Sequence, residues 1–171
     1  AAVDFQVSTG RMPLAAPAQQ APRKTPVYTE EQVAALAAFV ASLGPGPAIP
    51  TASDLDTSDA DLATGGVLFR TNCAQCHNFA GRGGALSDGK YAPSLMEATP
   101  REAYEAMLTG PQNMPNFPNS TLDQKAKQDI IKYIDHLQNA TAPGGFELGS
   151  YGPCLLYTSP SPRDRTRSRM P

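Results

Sequence analysis

Cys73, Cys76 and His77 stand in the pattern Cys-x-x-Cys-His. Two thiols three positions apart on a turning backbone can each close a thioether onto one vinyl group of a single porphyrin. The imidazole that follows directly then stands beneath the iron as proximal ligand. This is the c-type haem attachment pattern, so one covalently bound haem c is expected, with His77 on its iron. Two other uses of the same residues compete. A redox dithiol would want a strand before the motif and a βαβ pattern around it, and the chain offers neither. A structural zinc site would need a second Cys/His pair at metal spacing, and none is present.

The iron's other axial position calls for a soft donor on a non-helical loop. Met114 meets that description, because Pro111, Pro115 and Pro118 stiffen its loop and a thioether is an established partner for histidine on haem iron. Met96 and Met107 are its rivals, in segments that suit apolar packing. His136 lies between Asp135 and Leu137, off the main apolar face of its helix, and suits solvent. Pro93 is a candidate for offering its carbonyl to the free nitrogen of His77; an ordinary turn proline is the competing reading. Whether Lys90, Tyr91 and Asn116 reach the haem edge is open.

These residues need helices to hold them. Asp61 to Arg70 can form a helix leading into the motif, with Gly65 and Phe69 four apart on one face. A glycine there lets a second helix cross closely beneath the aromatic ring. Gly81–Gly84 reads as a loop and Tyr91–Leu95 as an extended segment. Thr99, Pro100 and Glu102 start another helix as cap, first-turn proline and acid, and Gly110 ends it. The last helix, about Leu122 to Asn139, presents Ala126, Ile130, Tyr133, Ile134 and Leu137. Upstream, Thr29 and Gln32 form a capping box for a helix with Val33, Leu36, Ala37, Val40 and Leu43 on one face, stopped by Gly44 and Pro45.

Composition narrows the function. The 171 residues include 17 prolines, 14 glycines and no tryptophan, with 40% hydrophobic residues, which is modest for a self-sufficient core. A buried haem would relieve that shortage. The net charge of −2 hides an acidic body: residues 1–153 hold ten basic and fifteen acidic side chains, and four arginines lie in the last eighteen residues. Without a basic patch to neutralise phosphates, nucleic-acid binding is excluded. No apolar run is long enough to span a membrane.

The chain also repeats itself. Thr9-Gly10-Arg11-Met12-Pro13 followed by a helix with Phe39 and Leu43 parallels Thr109-Gly110, Met114-Pro115 and a helix with Tyr133 and Leu137. Residues 1–44 therefore read as the C-terminal half of a truncated first haem domain. Met12 would be an iron ligand there, in the full-length protein only. Residues 1–28, lacking that haem, are expected to be poorly ordered, and the helix after Thr29 to dock its apolar face on the complete domain.

Together Gly65, Phe69, Cys73, Cys76, His77, Ala92-Pro93, Leu95, Met114-Pro115 and Tyr133 resemble a class I cytochrome c domain. The longer runs Leu68–Phe79, Gly83–Ser87, Leu108–Pro115 and Pro143–Phe146, with Ser8–Pro13 and Ala21–Lys24, resemble the dihaem cytochrome c subunit of the actinobacterial cytochrome bc complex. The resemblance covers about residues 1–153. It implies an all-α class I cytochrome c fold: the C-terminal half of a truncated first domain at 1–44, a linker at 45–57, a complete domain at 58–145, and at 146–153 the start of a Gly-rich segment leading to a missing membrane anchor. Residues 154–171, with Cys154, read as an adapter-derived artefact.

It further implies two haems in the full-length protein, on the extracytoplasmic side of the cell membrane. The subunit would belong to a menaquinol-oxidising quinol–cytochrome c reductase, a translocase, with no independent catalysis by this chain. Its partners would be the Rieske iron–sulfur subunit, the cytochrome b subunit and a haem–copper oxidase. A soluble dihaem carrier, a cytochrome subunit of a periplasmic dehydrogenase, and a haem-free dithiol or metal-binding module are the alternatives.

Overall fold

Local capping chemistry sets where the helices start. In the computed structural model, which describes residues 1–18 and 20–140, Thr29 opens α2 (Glu30–Leu43) with the reciprocal Thr29–Gln32 bonds of a capping box. Asp61 opens α4 (Leu62–Asn72) by accepting from the Thr64 amide at 2.6 Å. Thr99 and Glu102 cap α6 (Pro100–Thr109), and Gly110 ends it at φ 58°, a left-handed position that favours glycine. The remaining helices are α1 (Ala2–Ser8), α3 (Ala52–Leu55), α5 (Ala74–His77) and α7 (Gln124–Asn139). Two short strands, β1 (Gly84–Ala85) and β2 (Tyr91–Ala92), pair antiparallel between α5 and α6. The all-α class expected from sequence is what the chain adopts.

The α4–α7 crossing organises the core. A Cβ at Gly65 would fall on the Asp129 carbonyl and 3.2 Å from the Tyr133 Cβ, so the helices meet backbone to backbone. Phe69, one turn on, is fully buried with its ring 5.3 Å from that of Tyr133. Around them pack Tyr104, Met107, Phe117, Leu122, Ile130, Ile131 and Ile134. Asp129 ties the crossing by accepting from the Asp61 amide at 2.7 Å and from Lys125 Nζ at 2.8 Å. Lys127 is also buried, and its ammonium donates to Asn119 Oδ1 at 2.7 Å and the Leu122 carbonyl at 2.6 Å, which offsets the cost of burying a charge.

Residues 1–44 differ from expectation in two ways. The first stretch has a defined packing: α1 lies against α6, Phe5 and Val7 are buried, and Arg101 pairs with Asp4 at 2.8 Å. Farther along, Gln20 exchanges hydrogen bonds with the Tyr91 backbone, Gln112 donates to the Ala21 carbonyl, and Arg23 pairs with Glu102 at 2.9 Å. Side-chain bonds to backbone hold this proline-rich segment where no periodicity could announce it. Conversely, α2 meets α1 rather than docking on the later helices; Val33 is buried while Leu36, Phe39, Val40 and Leu43 are exposed. The linker 45–57 is not featureless either, since Thr51 and Asp54 cap α3 and Leu55 packs on the core.

The paired motifs end their helices alike. Thr9 Oγ1 donates to the Phe5 carbonyl and Thr109 Oγ1 to the Glu105 carbonyl, each four residues back, and Gly10 (φ 67°) and Gly110 (φ 58°) follow in the left-handed region. The last residues of the domain expected over 58–145, the Gly-rich segment 146–153, and the 154–171 reading with Cys154 lie outside the described residues; among those described, no helix is long and apolar enough to cross a membrane.

Two tests follow from this packing. Gly65→Ala should cost about 2–3 kcal/mol through overpacking at the crossing, read as a lower denaturant midpoint; an unchanged midpoint would contradict the crossing. The second concerns Glu105, fully buried on α6 with no hydrogen-bond partner on either oxygen among the described residues. Burial first, then Asp4, push its carboxyl from 4.5 up to about 8, against the pull of Arg101. The folded chain then binds the extra proton between those values, so stability should fall as pH rises across that window. Glu105→Gln should flatten the fall in thermal midpoint; an equal slope in the variant would rule Glu105 out as its source.

Candidate haem site

The attachment motif occupies one turn set at the end of α4. The Cys73 amide donates to the Phe69 carbonyl at 2.8 Å, closing α4, while the His77 amide donates to the Cys73 carbonyl at 2.9 Å, closing α5. Cys73 and Cys76 are unpaired and half-buried, on a turn fixed by the core contacts of Phe69. Burial, with Cys76 adding to it, pushes the Cys73 thiol up to about 11. That is the opposite of the depressed value an attacking thiol needs.

His77 is buried, with Nδ1 2.9 Å from the Pro93 carbonyl. A carbonyl only accepts, so Nδ1 carries the proton and Nε2 keeps its lone pair for a metal. Burial lowers the imidazole's pKa more than the Pro93 contact raises it, which favours that neutral ligand form. Gly83 (φ 84°) permits the arrangement. A Cβ there would meet the Ala92 carbonyl at 2.6 Å and the Ser94 amide at 2.9 Å, so a side chain would drive the segment around Pro93 away from the imidazole.

Met114 comes from the loop after α6. Gly110 lets that loop fold back on itself, because a Cβ would stand 2.8 Å from the Met114 carbonyl. The Phe117 amide then donates to the Met107 carbonyl at 2.7 Å and closes the loop. Met114 is half-buried against the core and, with Cys73, Cys76, His77 and Pro93, lines one cavity of about 680 Å³. That volume falls within the range of small-molecule and cofactor sites, about 300–1,000 Å³. Leu95, Met107, Ile130 and Ile134 supply apolar wall.

The other sequence candidates divide. Met96 and Met107 line the cavity too, Met107 buried in the core and Met96 with its methyl over Gly81. Tyr91 is also in the wall; Lys90, Asn116, His136 and Met12 are not, and Met12 is exposed. Sequence reading missed the contribution of the N-terminal segment: Phe5, Arg11, Gln20 and Arg23 reach the cavity. Arg11 is buried with its guanidinium 4.7 Å from the Phe5 ring centre, and its Nη1 has no hydrogen-bond partner among the described residues. Burial and then Arg23 lower its pKa, opposed by Glu102 and Tyr91. No signal in the sequence marks it, since an arginine in a turn is ordinarily solvated.

Paired thiols, a neutral imidazole, a thioether and an orphaned cation around one largely apolar cavity fit a haem c. No group of three or more His, Cys, Asp or Glu able to hold a metal ion occurs among the described residues. The sequence model of the family described as "Cytochrome C oxidase, cbb3-type, subunit III" matches residues 60–134. Fold and motif therefore define a class I cytochrome c domain, a class whose haem is covalently bound. Over 158 residues, 90% of this chain, the sequence is 51% identical to the proteins named cytochrome bc1 complex cytochrome c subunit of Mycobacterium tuberculosis and Mycobacterium bovis. It is 49% identical over 166 residues to the protein of that name from Corynebacterium efficiens. The chain is thus a homologue, at about half identity, of these actinobacterial cytochrome c subunits. It spans 56% of the length of each of these relatives.

Met114→Ala in the haem-bearing protein should abolish the thioether charge-transfer band at the red end of the visible spectrum. A retained band would assign the sixth position to Met96 or Met107.

Proposed function

We propose that this chain is a c-type electron carrier, the cytochrome c subunit of a respiratory quinol–cytochrome c oxidoreductase. The observation that supports this best is the convergence of His77 and Met114 on the cavity walled by Cys73 and Cys76. A haem held there would exchange one electron at its iron. With His77 and Met114 both donating to its iron, such a haem would leave no position for oxygen or peroxide. Cys73 and Cys76 would anchor the group, and His77, its ring oriented by the Pro93 carbonyl, would hold the metal from Nε2. Met114 as partner would raise the potential relative to a second histidine, and the apolar wall from Leu95, Ile130 and Ile134 would add to that by excluding water.

Residues 1–44 are read as the back half of a preceding haem domain, and the matched helix ends at Thr9-Gly10 and Thr109-Gly110 support that reading. The full-length protein would carry two haems, with Met12 on the first iron. On the extracytoplasmic side of the cell membrane, beside a cytochrome b subunit, it would accept electrons from a Rieske iron–sulfur subunit. A haem–copper oxidase would receive them. The relatives' shared name, as subunits of a bc1 complex, supports this assignment.

The test uses the full-length chain matured with haem. Haem should resist acid–acetone extraction and give a c-type pyridine haemochrome, and the reduced protein should form no carbon monoxide adduct. Extractable haem would sink the assignment, and a carbon monoxide adduct would show an open iron. Co-purification with a quinol-oxidising membrane complex is expected; isolation as a free soluble carrier would favour a dehydrogenase or shuttle role.

A further inference from the structure

The N-terminal segment contributes a charge to a site built by the later helices. Arg11 follows the turn that ends α1, yet its side chain is 8% exposed and lines the cavity that holds Cys73, His77 and Met114. The Phe5 ring, 4.7 Å from the guanidinium carbon, takes one face of the group. Nη1 is buried without a hydrogen-bond partner among the described residues. A buried, charged donor left unpaired is strongly unfavourable, so this geometry points to an anionic partner within the cavity.

The neighbouring charges do not supply one. Glu102 is paired with Arg23 at 2.9 Å, through both of the latter's terminal nitrogens. Arg82, also in the lining and without an ion pair, is exposed, so among the described residues Arg11 is the buried cation left over on this wall.

We infer that Arg11 pairs with a propionate carboxylate of the haem bound at Cys73 and Cys76, so that the segment preceding the haem domain clamps and electrostatically tunes that domain's cofactor. The inference rests on the haem reading above. A guanidinium fork matches a carboxylate in two parallel hydrogen bonds, and the propionates are the anionic groups of the porphyrin periphery. A buried cation beside the haem favours the reduced, less positive state, so Arg11 acts as a positioning residue with a signature in the potential.

The experiment is a potentiometric titration of the full-length, haem-bearing protein and its Arg11→Gln and Arg11→Lys variants. Arg11→Gln should lower the reduction equilibrium constant of this haem roughly tenfold, about 59 mV at the one-electron conversion. Arg11→Lys, which keeps the charge without the fork, should lower it roughly twofold to threefold. In both, the covalent haem and the methionine charge-transfer band should persist. An Arg11→Gln protein with the wild-type potential would overturn the inference, as would loss of the methionine band, which would make Arg11 a packing residue. If Arg11→Gln does not mature, Arg11→Lys at the wild-type potential overturns it. A wild-type potential that moves with added inorganic phosphate would assign the partner to a mobile anion instead. Wild-type protein without covalent haem would overturn the haem reading itself, and this inference with it.

Discussion

The approach of α4 to α7 at Gly65 is the contact on which the remaining geometry depends. Because the Asp129 carbonyl occupies the space a side chain would need, the helices cross at backbone distance. Everything at the site is referred to that crossing. Four residues past Gly65, Phe69 locks against Tyr133; four more bring the chain to Cys73, already oriented by its amide bond to Phe69. From the other helix, Ile130 and Ile134 follow Asp129 and form the wall facing the motif. One glycine thereby sets the spacing between the attachment turn and the apolar surface opposite it.

Loops that glycine permits to pass at close range orient the two candidate ligands. Gly83 lets the Pro93 carbonyl meet His77, and Gly110 lets the Met114 loop return over the end of α6. Helices thus carry the candidate attachment cysteines, and short closed loops orient the candidate ligands. An electron carrier benefits from that division, since little rearrangement on reduction is what fast transfer requires.

Much of this was legible because it is local. The caps at Thr29, Asp61 and Thr99 involve residues three apart, and Gly65 with Phe69 shares a face by helical geometry alone. The candidate ligands His77 and Met114 were nameable from donor chemistry and from prolines that forbid helix. What stayed hidden depends on contacts distant in sequence. At seven residues, α1 is too short to show a period, and Phe5 is buried because α6 lies beside it. The periodic face of α2 announced a packing surface, but periodicity does not say which neighbour covers it; among the described residues Val33 alone is buried. Arg11 and Glu105 were the least legible, since both residue types are ordinarily solvated rather than buried.

The central claim is that Cys73 and Cys76 hold one haem with His77 beneath it. Proteolysis of the mature protein and mass spectrometry of the peptide spanning Thr71–Arg82 test it directly. The account predicts that peptide at its own mass plus one haem, with neither cysteine open to alkylation. An unmodified peptide with two alkylated thiols would contradict it.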